Sequence, residues 1–180
     1  MAPTQSNPPL QILGLKSLSL KELSTTIQAQ LKTSASTTSR PGNASENLIV
    51  VIDGLDFVLA SQPEADALGL QQLLSQIRPQ AKAVILTCSA DTPLLHNRHA
   101  GATPLERQHS TFVSTLGHQA SWIFQLRALD TGAAKDVTGV LRVSKGGSHD
   151  QEEGTASLED GEWLYQLKGD GSARVWSRGQ

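Results

Sequence analysis

Several features that define common classes of protein are scarce in this sequence. Cys88 is the single cysteine among 180 residues, so no disulfide can form within the chain, as is usual in a reducing compartment. The longest apolar run, residues 48–52, is much shorter than the roughly 20 residues that span a bilayer. The first ten residues lack the basic and apolar regions of a secretory signal. We therefore expect a protein of the cytoplasm and nucleus without a membrane partner.

An excess of charge of either sign is also absent. Lys and Arg number 15 and Asp and Glu 17, which gives a formal net charge of -2. This balance lacks the basic excess of a free-standing nucleic-acid-binding domain, but it leaves open contacts that loops of a larger assembly make with nucleic acid. The length fits one domain that is large enough to bury a core.

The glycine-rich loop that holds nucleotide phosphates is missing. No segment matches G-x-x-x-x-G-K-[ST], the Walker A pattern, whose backbone N–H groups and lysine bind phosphates. Residues 48–52 nevertheless form an apolar run that ends in Asp53, the place of the magnesium-holding Walker B aspartate in P-loop ATPases. An aspartate also caps turns after many buried strands, so both interpretations of Asp53 stay open. We expect no catalytic residue, cofactor or metal, and no independent ATP hydrolysis.

The order of apolar patterns predicts an α/β fold. Residues 48–52 and 83–88 predict strands that are buried on both faces. Between them, apolar positions from Leu68 to Ile77 predict a helix that Pro79 ends. Such a strand–helix–strand unit normally closes into a parallel sheet.

The C-terminal part predicts a sheet of a different kind. Alternating side chains from Trp163 to Lys168, followed by turn residues 169–172, predict an antiparallel hairpin. Two more strands are expected before it, over residues 121–129 and 137–145. The predicted architecture is therefore a parallel core with an antiparallel C-terminal hairpin.

Two helix starts carry a capping box, in which a hydroxyl and a glutamate three residues later satisfy free helix N–H groups. These pairs are Ser19 with Glu22, and Thr103 with Glu106. A helix of about three turns is expected after the first pair and a longer one after the second.

Composition predicts the domain boundaries. We expect residues 1–18 to be disordered and residues 19–180 to form a single domain. Flexible loops are expected over residues 33–46, which are rich in Ser, Thr, Gly and Pro, and over residues 146–161, which are rich in Gly, Glu and Asp.

Other candidate sites have weaker support. The five histidines lack the HExxH spacing of a zinc site, so we interpret them as solvated or hydrogen-bonded. Arg98 in an exposed loop, and Arg142 and Lys145 on a strand, are candidates for contact with RNA, although basic residues on strands usually form a solvated face. The three tryptophans are interpreted as core or interface anchors rather than platforms for nucleobases.

Four stretches of the sequence, taken together, resemble one protein family. They are Val50–Phe57, Thr103–Ala120, Leu126–Arg142 and Gly169–Val175. The run LDTGAAKDVTGVLR within the third stretch is the most specific, because no repeat or compositional bias produces it. Over roughly residues 45–180 the chain resembles the sixth subunit of the Elongator complex in its fungal form; the fourth and fifth subunits share the fold.

The resemblance implies a RecA-like fold, of the P-loop-NTPase type, that lacks Walker A and in which Asp53 is a vestigial Walker B position. It also implies a non-catalytic subunit that forms a heterohexameric ring with the fourth and fifth subunits, binds tRNA through the assembly and supports modification of the wobble uridine, U34. Two alternatives stay open: a degenerate P-loop-type ATPase, and a protein-interaction adaptor without an RNA role.

The sequence departs from the family on its N-terminal side. RecA-like members carry a strand–helix–strand segment before the strand that here ends in Asp53, whereas only about 45 residues precede that strand. We therefore expect an N-terminally truncated, incomplete RecA-like domain whose parallel sheet exposes an apolar edge.

Overall fold

The computed structural model describes most of the chain and divides it into two compact units. The described residues are 12–13, 17–37, 48–91, 95, 101–129, 136–148 and 159–177. One unit comprises Met1–Phe112 and the other Val113–Gln180. The predicted disorder of residues 1–18 falls mainly on residues outside the described part of the chain.

The first unit combines helices with a short parallel sheet. Its elements are α1 (Leu20–Thr37), β1 (Ile49–Ile52), α2 (Phe57–Ser61), α3 (Ala67–Ile77), a 3₁₀ turn (Arg78–Gln80), β2 (Ala83–Leu86) and the first part of α4 (Pro104–Gln119). Helices α1 and α3 pack together. Leu70, Leu74, Ile77 and Phe112 are fully buried and form the centre of the core.

Strands β1 and β2 confirm the predicted parallel strand–helix–strand unit. They pair in register from Ile49 opposite Ala83 to Ile52 opposite Leu86, and α3 lies between them in the chain. The expectation that both faces of these strands are buried is wrong. Ile49, Val51 and Ile85 are 57%, 62% and 51% exposed, and the residues on the opposite face of this two-stranded sheet are only half-buried.

The helix starts follow the predicted caps in part. Thr103 and Glu106 form the full capping box: the Glu106 carboxylate accepts from the Thr103 N–H at 2.6 Å, and the Glu106 N–H donates to the Thr103 hydroxyl at 3.3 Å. At α1, the Glu22 N–H donates to the Ser19 hydroxyl at 3.3 Å, but the Ser19 N–H donates to Ser17 Oγ instead of Glu22.

Helix α1 is longer than the sequence predicts. It continues to Thr37 and so includes the first residues of the segment 33–46, which was predicted to be a loop. The Thr33 hydroxyl donates to the Ala29 carbonyl at 2.9 Å, so this polar side chain is satisfied within the helix. The rest of that segment, residues 38–46, lies outside the described residues, as does most of the predicted loop 146–161.

The second unit contains a four-stranded antiparallel sheet in the order β3–β4–β5–β6. Its strands are β3 (Trp122–Arg127), β4 (Gly139–Lys145), β5 (Gly161–Leu167) and β6 (Ala173–Ser177). The predicted hairpin is confirmed as β5 and β6, whose turn contains Gly171 at a φ of 82°. A mixed α/β class with a parallel and an antiparallel sheet is thus confirmed, while the RecA-like arrangement stays a prediction.

The strand register gives this antiparallel sheet two different faces, because directly opposed residues lie on the same side. One, which we call the apolar face, carries Trp122, Phe124, Leu126, Leu141, Val143, Lys145, Trp163, Tyr165, Leu167 and Val175. The other, which we call the arginine face, carries Ile123, Gln125, Arg127, Val140, Arg142, Ser144, Glu162, Leu164, Gln166, Arg174 and Trp176.

Among the helices that the structure describes, none combines the length and apolar character needed to cross a membrane.

Candidate functional site

Asp53 lies at the carboxyl end of β1, where its carboxylate is tied to the loop after β2. The Thr87 hydroxyl donates to Asp53 Oδ1, and the N–H of Gly54 donates to the same Thr87 oxygen at 2.9 Å. Gly54 has a φ of 66°, a conformation that suits glycine. These contacts connect the ends of the two parallel strands, so the Asp53 carboxylate has a structural partner.

Asp56 forms a second set of contacts near the carboxyl ends of β1 and β2. Its Oδ2 accepts from the Ser89 N–H at 3.2 Å and lies 3.5 Å from His109 Nε2 on α4. That separation allows an ion pair when the imidazole is protonated. However, neither ring nitrogen of His109 makes a hydrogen bond with the described residues.

His109 is the main correction to the interpretation of the histidines. It was expected to be solvated or hydrogen-bonded, whereas it is only 7% exposed and its ring nitrogens lack hydrogen bonds in the described part of the chain. His118, in contrast, is exposed. His96, His99 and His149 lie outside the described residues.

Cys88 lies between Thr87 and Ser89 in the chain, and its surroundings favour the protonated thiol. Partial burial raises the pKa of Cys88 above its ordinary value, and the negative charge of Asp56 raises it further. A raised pKa lowers the thiolate fraction and hence the reactivity of the sulfur. Across the described residues, no three His, Cys, Asp or Glu side chains are grouped so that they could hold a metal ion.

The residues predicted to contact RNA do not form one surface. Arg142 and Lys145 are both exposed on β4, but Arg142 lies on the arginine face and Lys145 on the apolar face. The Lys145 N–H donates to Asp160 Oδ1 at 3.0 Å. Arg98 falls outside the described residues, and its predicted role stays a prediction.

The structure instead groups Arg142 with other side chains of the arginine face. Arg127 Nη2 lies 3.2 Å from Glu162 Oε1, and the Arg174 guanidinium lies over the Trp176 ring, 5.6 Å from its centroid. The sequence alone did not indicate that these residues share one face. The register that unites them depends on three strand pairings, and only the alternation of β5 and β6 could have indicated it in advance.

Comparison with known proteins gives one informative similarity. No protein-family model matches the chain. The chain is 29% identical over 137 residues to a Schizosaccharomyces pombe protein named Elongator complex protein 6 homolog. The alignment covers 75% of this chain and 49% of the relative, so the chain spans about half the length of the curated relative it matches. This similarity to the sixth Elongator subunit agrees with the resemblance found in the sequence.

Proposed function

We propose that this chain is a non-catalytic subunit of the Elongator complex. In this proposal it joins the fourth and fifth subunits in a RecA-like heterohexameric ring that binds tRNA and supports modification of the wobble uridine, in the cytoplasm and the nucleus. The observation that carries the proposal is the similarity, over 75% of this chain, to a protein named as the sixth Elongator subunit.

The geometry at the end of β1 supports an accessory role rather than a catalytic one. The Asp53 carboxylate accepts a hydrogen bond from Thr87 and thereby links two strand ends. The sequence contains no Walker A loop to bring nucleotide phosphates to this carboxylate.

Co-purification tests the proposal. The chain is co-expressed with the fourth and fifth Elongator subunits, the fourth subunit is tagged, and the bound chains are identified after affinity purification. We expect this chain in the purified material at a constant ratio to the fifth subunit. A matched expression without the tagged subunit controls for non-specific retention. Recovery of the fourth and fifth subunits together, with this chain left in the unbound fraction, contradicts the proposal.

A further inference from the structure

Three arginines of the second unit lie on one face of its antiparallel sheet. Arg127 is on β3, Arg142 on β4 and Arg174 on β6, and the strand register places all three on the arginine face. From the usual spacing of strands and residues, the Cα atoms of Arg142 and Arg174 are separated by roughly 16 Å. The positive charges are therefore spread across the face rather than concentrated at one point.

Among the described residues, the three arginines outnumber the two nearby carboxylates, Glu162 and Asp160, which leaves a small positive excess. Glu162 is the one acidic residue that the register places on the arginine face, and its Oε1 is engaged by Arg127 at 3.2 Å. Asp160, just before β5, accepts the backbone N–H of Lys145 at 3.0 Å. Arg142 is exposed and makes no ion pair or hydrogen bond with any residue in the described ranges, so its guanidinium is available to an external anion.

The other side chains of the face suit a nucleic-acid strand better than a small anion. Arg174 is exposed and held over the ring of Trp176 at 5.6 Å, a contact that orders the guanidinium plane. Nucleobases stack on such planes and on aromatic rings. Gln125 and Gln166, also on this face, each supply an amide donor and acceptor. A sheet surface with such side chains can stack unpaired bases, whereas it does not enter the groove of a duplex.

We propose that the arginine face binds a single-stranded nucleic acid, with Arg142 and Arg174 contacting phosphates of the same strand and Trp176 positioning Arg174. This inference rests on the proposed function, because it identifies the surface through which this subunit contributes to RNA binding by the assembly. Lys145 has no part in the contact, because it lies on the opposite face of β4.

Binding of a fluorescein-labelled 12-nucleotide oligouridylate to the full chain tests this surface. Fluorescence anisotropy is measured over a series of salt concentrations for the wild type, Arg142→Gln, Arg174→Gln and the control Lys145→Gln. All three substitutions remove one positive charge, but only the control changes the apolar face. Each arginine variant should bind about 3- to 10-fold more weakly, and the slope of log K against log salt should fall by about 0.7. The control should match the wild type in affinity and slope.

Three results would overturn the inference: no binding by the wild type, an equal loss in Lys145→Gln, or displacement of the oligonucleotide by inorganic polyphosphate at equal phosphate concentration. The last result would mean that charge alone is recognised. Co-purification with the fourth and fifth subunits is measured for the same variants. Retained co-purification with failed RNA binding rejects only the arginine face, whereas loss of co-purification by the wild type rejects the proposed function.

Discussion

Asp53 is linked through one hydroxyl to the loop after β2. The Thr87 oxygen donates to Asp53 and accepts from the N–H of Gly54 at 2.9 Å, so a single side chain closes both contacts. We predict that Thr87→Val lowers the free energy of unfolding by about 0.5 kcal/mol, because two polar partners lose hydrogen bonds that water at this exposed site replaces only in part. Urea denaturation measures the change. Thr87→Ser keeps the hydroxyl and should retain most of the stability. Equal stability of Thr87→Val and the wild type would contradict the contribution of these hydrogen bonds.

The same contact makes a specific prediction about nucleotide hydrolysis. The purified chain should release no phosphate from ATP above background with magnesium present, because the sequence has no phosphate loop and Thr87 engages the Asp53 carboxylate. Asp53→Asn should leave this background unchanged. A continuous phosphate-release assay checks both. Magnesium-dependent turnover that disappears in Asp53→Asn would instead support the degenerate ATPase.

The pKa of Cys88 depends in part on the negative charge of Asp56. Burial is the main cause of the raised pKa of Cys88 and Asp56 is the second. Asp56→Asn should therefore lower the pKa of the thiol and speed its alkylation by iodoacetamide at pH 8, without reaching the rate of a free thiol. Asp91→Asn, which changes an exposed carboxylate that does not act on Cys88, is the matched control. An unchanged alkylation rate in Asp56→Asn, or an equal increase in both variants, contradicts this account.

Residue roles were predictable from the sequence where they depend on near neighbours. The capping box of Thr103 and Glu106 is local, and the structure confirms it. The position of Asp53 at the end of a strand is local too. The burial of His109 was missed, because its neighbour Asp56 lies far away in the chain.

At the scale of elements, the close pairing of β3, β4 and β5 depends on one glycine. A Cβ added at Gly139 would overlap the Arg127 carbonyl oxygen and lie 2.8 Å from Tyr165 Oη. We predict that Gly139→Ala destabilises the sheet by about 1–3 kcal/mol, since neighbouring strands must move apart. Gly169→Ala, where a Cβ meets no atom within 4 Å, should be close to neutral. The difference between their urea midpoints is the measurement, and similar midpoints contradict the close packing.

The type of each element was easier to predict from the sequence than the burial of its side chains. Apolar periodicity indicated β1, α3 and β2 and the parallel pairing, because those patterns are set within each segment. It did not indicate that Val51 is 62% exposed, since coverage of a sheet face depends on segments elsewhere in the chain or assembly. The end of α1 was also missed, because a run of Ser and Thr favours loops on average without preventing a helix.

At the scale of the whole molecule, the similarity to the sixth Elongator subunit comes from the sequence, and the assembly with other subunits is a proposal. Exposed apolar side chains occur in both units, such as Ile49 on β1 and Leu126 on β3. Large exposed apolar surfaces commonly mark sites of protein association, in agreement with a subunit that works within a complex. No property of a single segment could predict which partners associate with it, because an interface is formed by residues from several elements at once.

The most direct test of the central claim is the mass of the purified assembly. The chain is co-expressed with the fourth and fifth Elongator subunits, and the complex is analysed by size-exclusion chromatography with light scattering. The proposed ring predicts one species whose mass equals six chains, two of each kind. Elution of this chain by itself, or a complex with another stoichiometry, would contradict the claim that it is a ring-forming subunit.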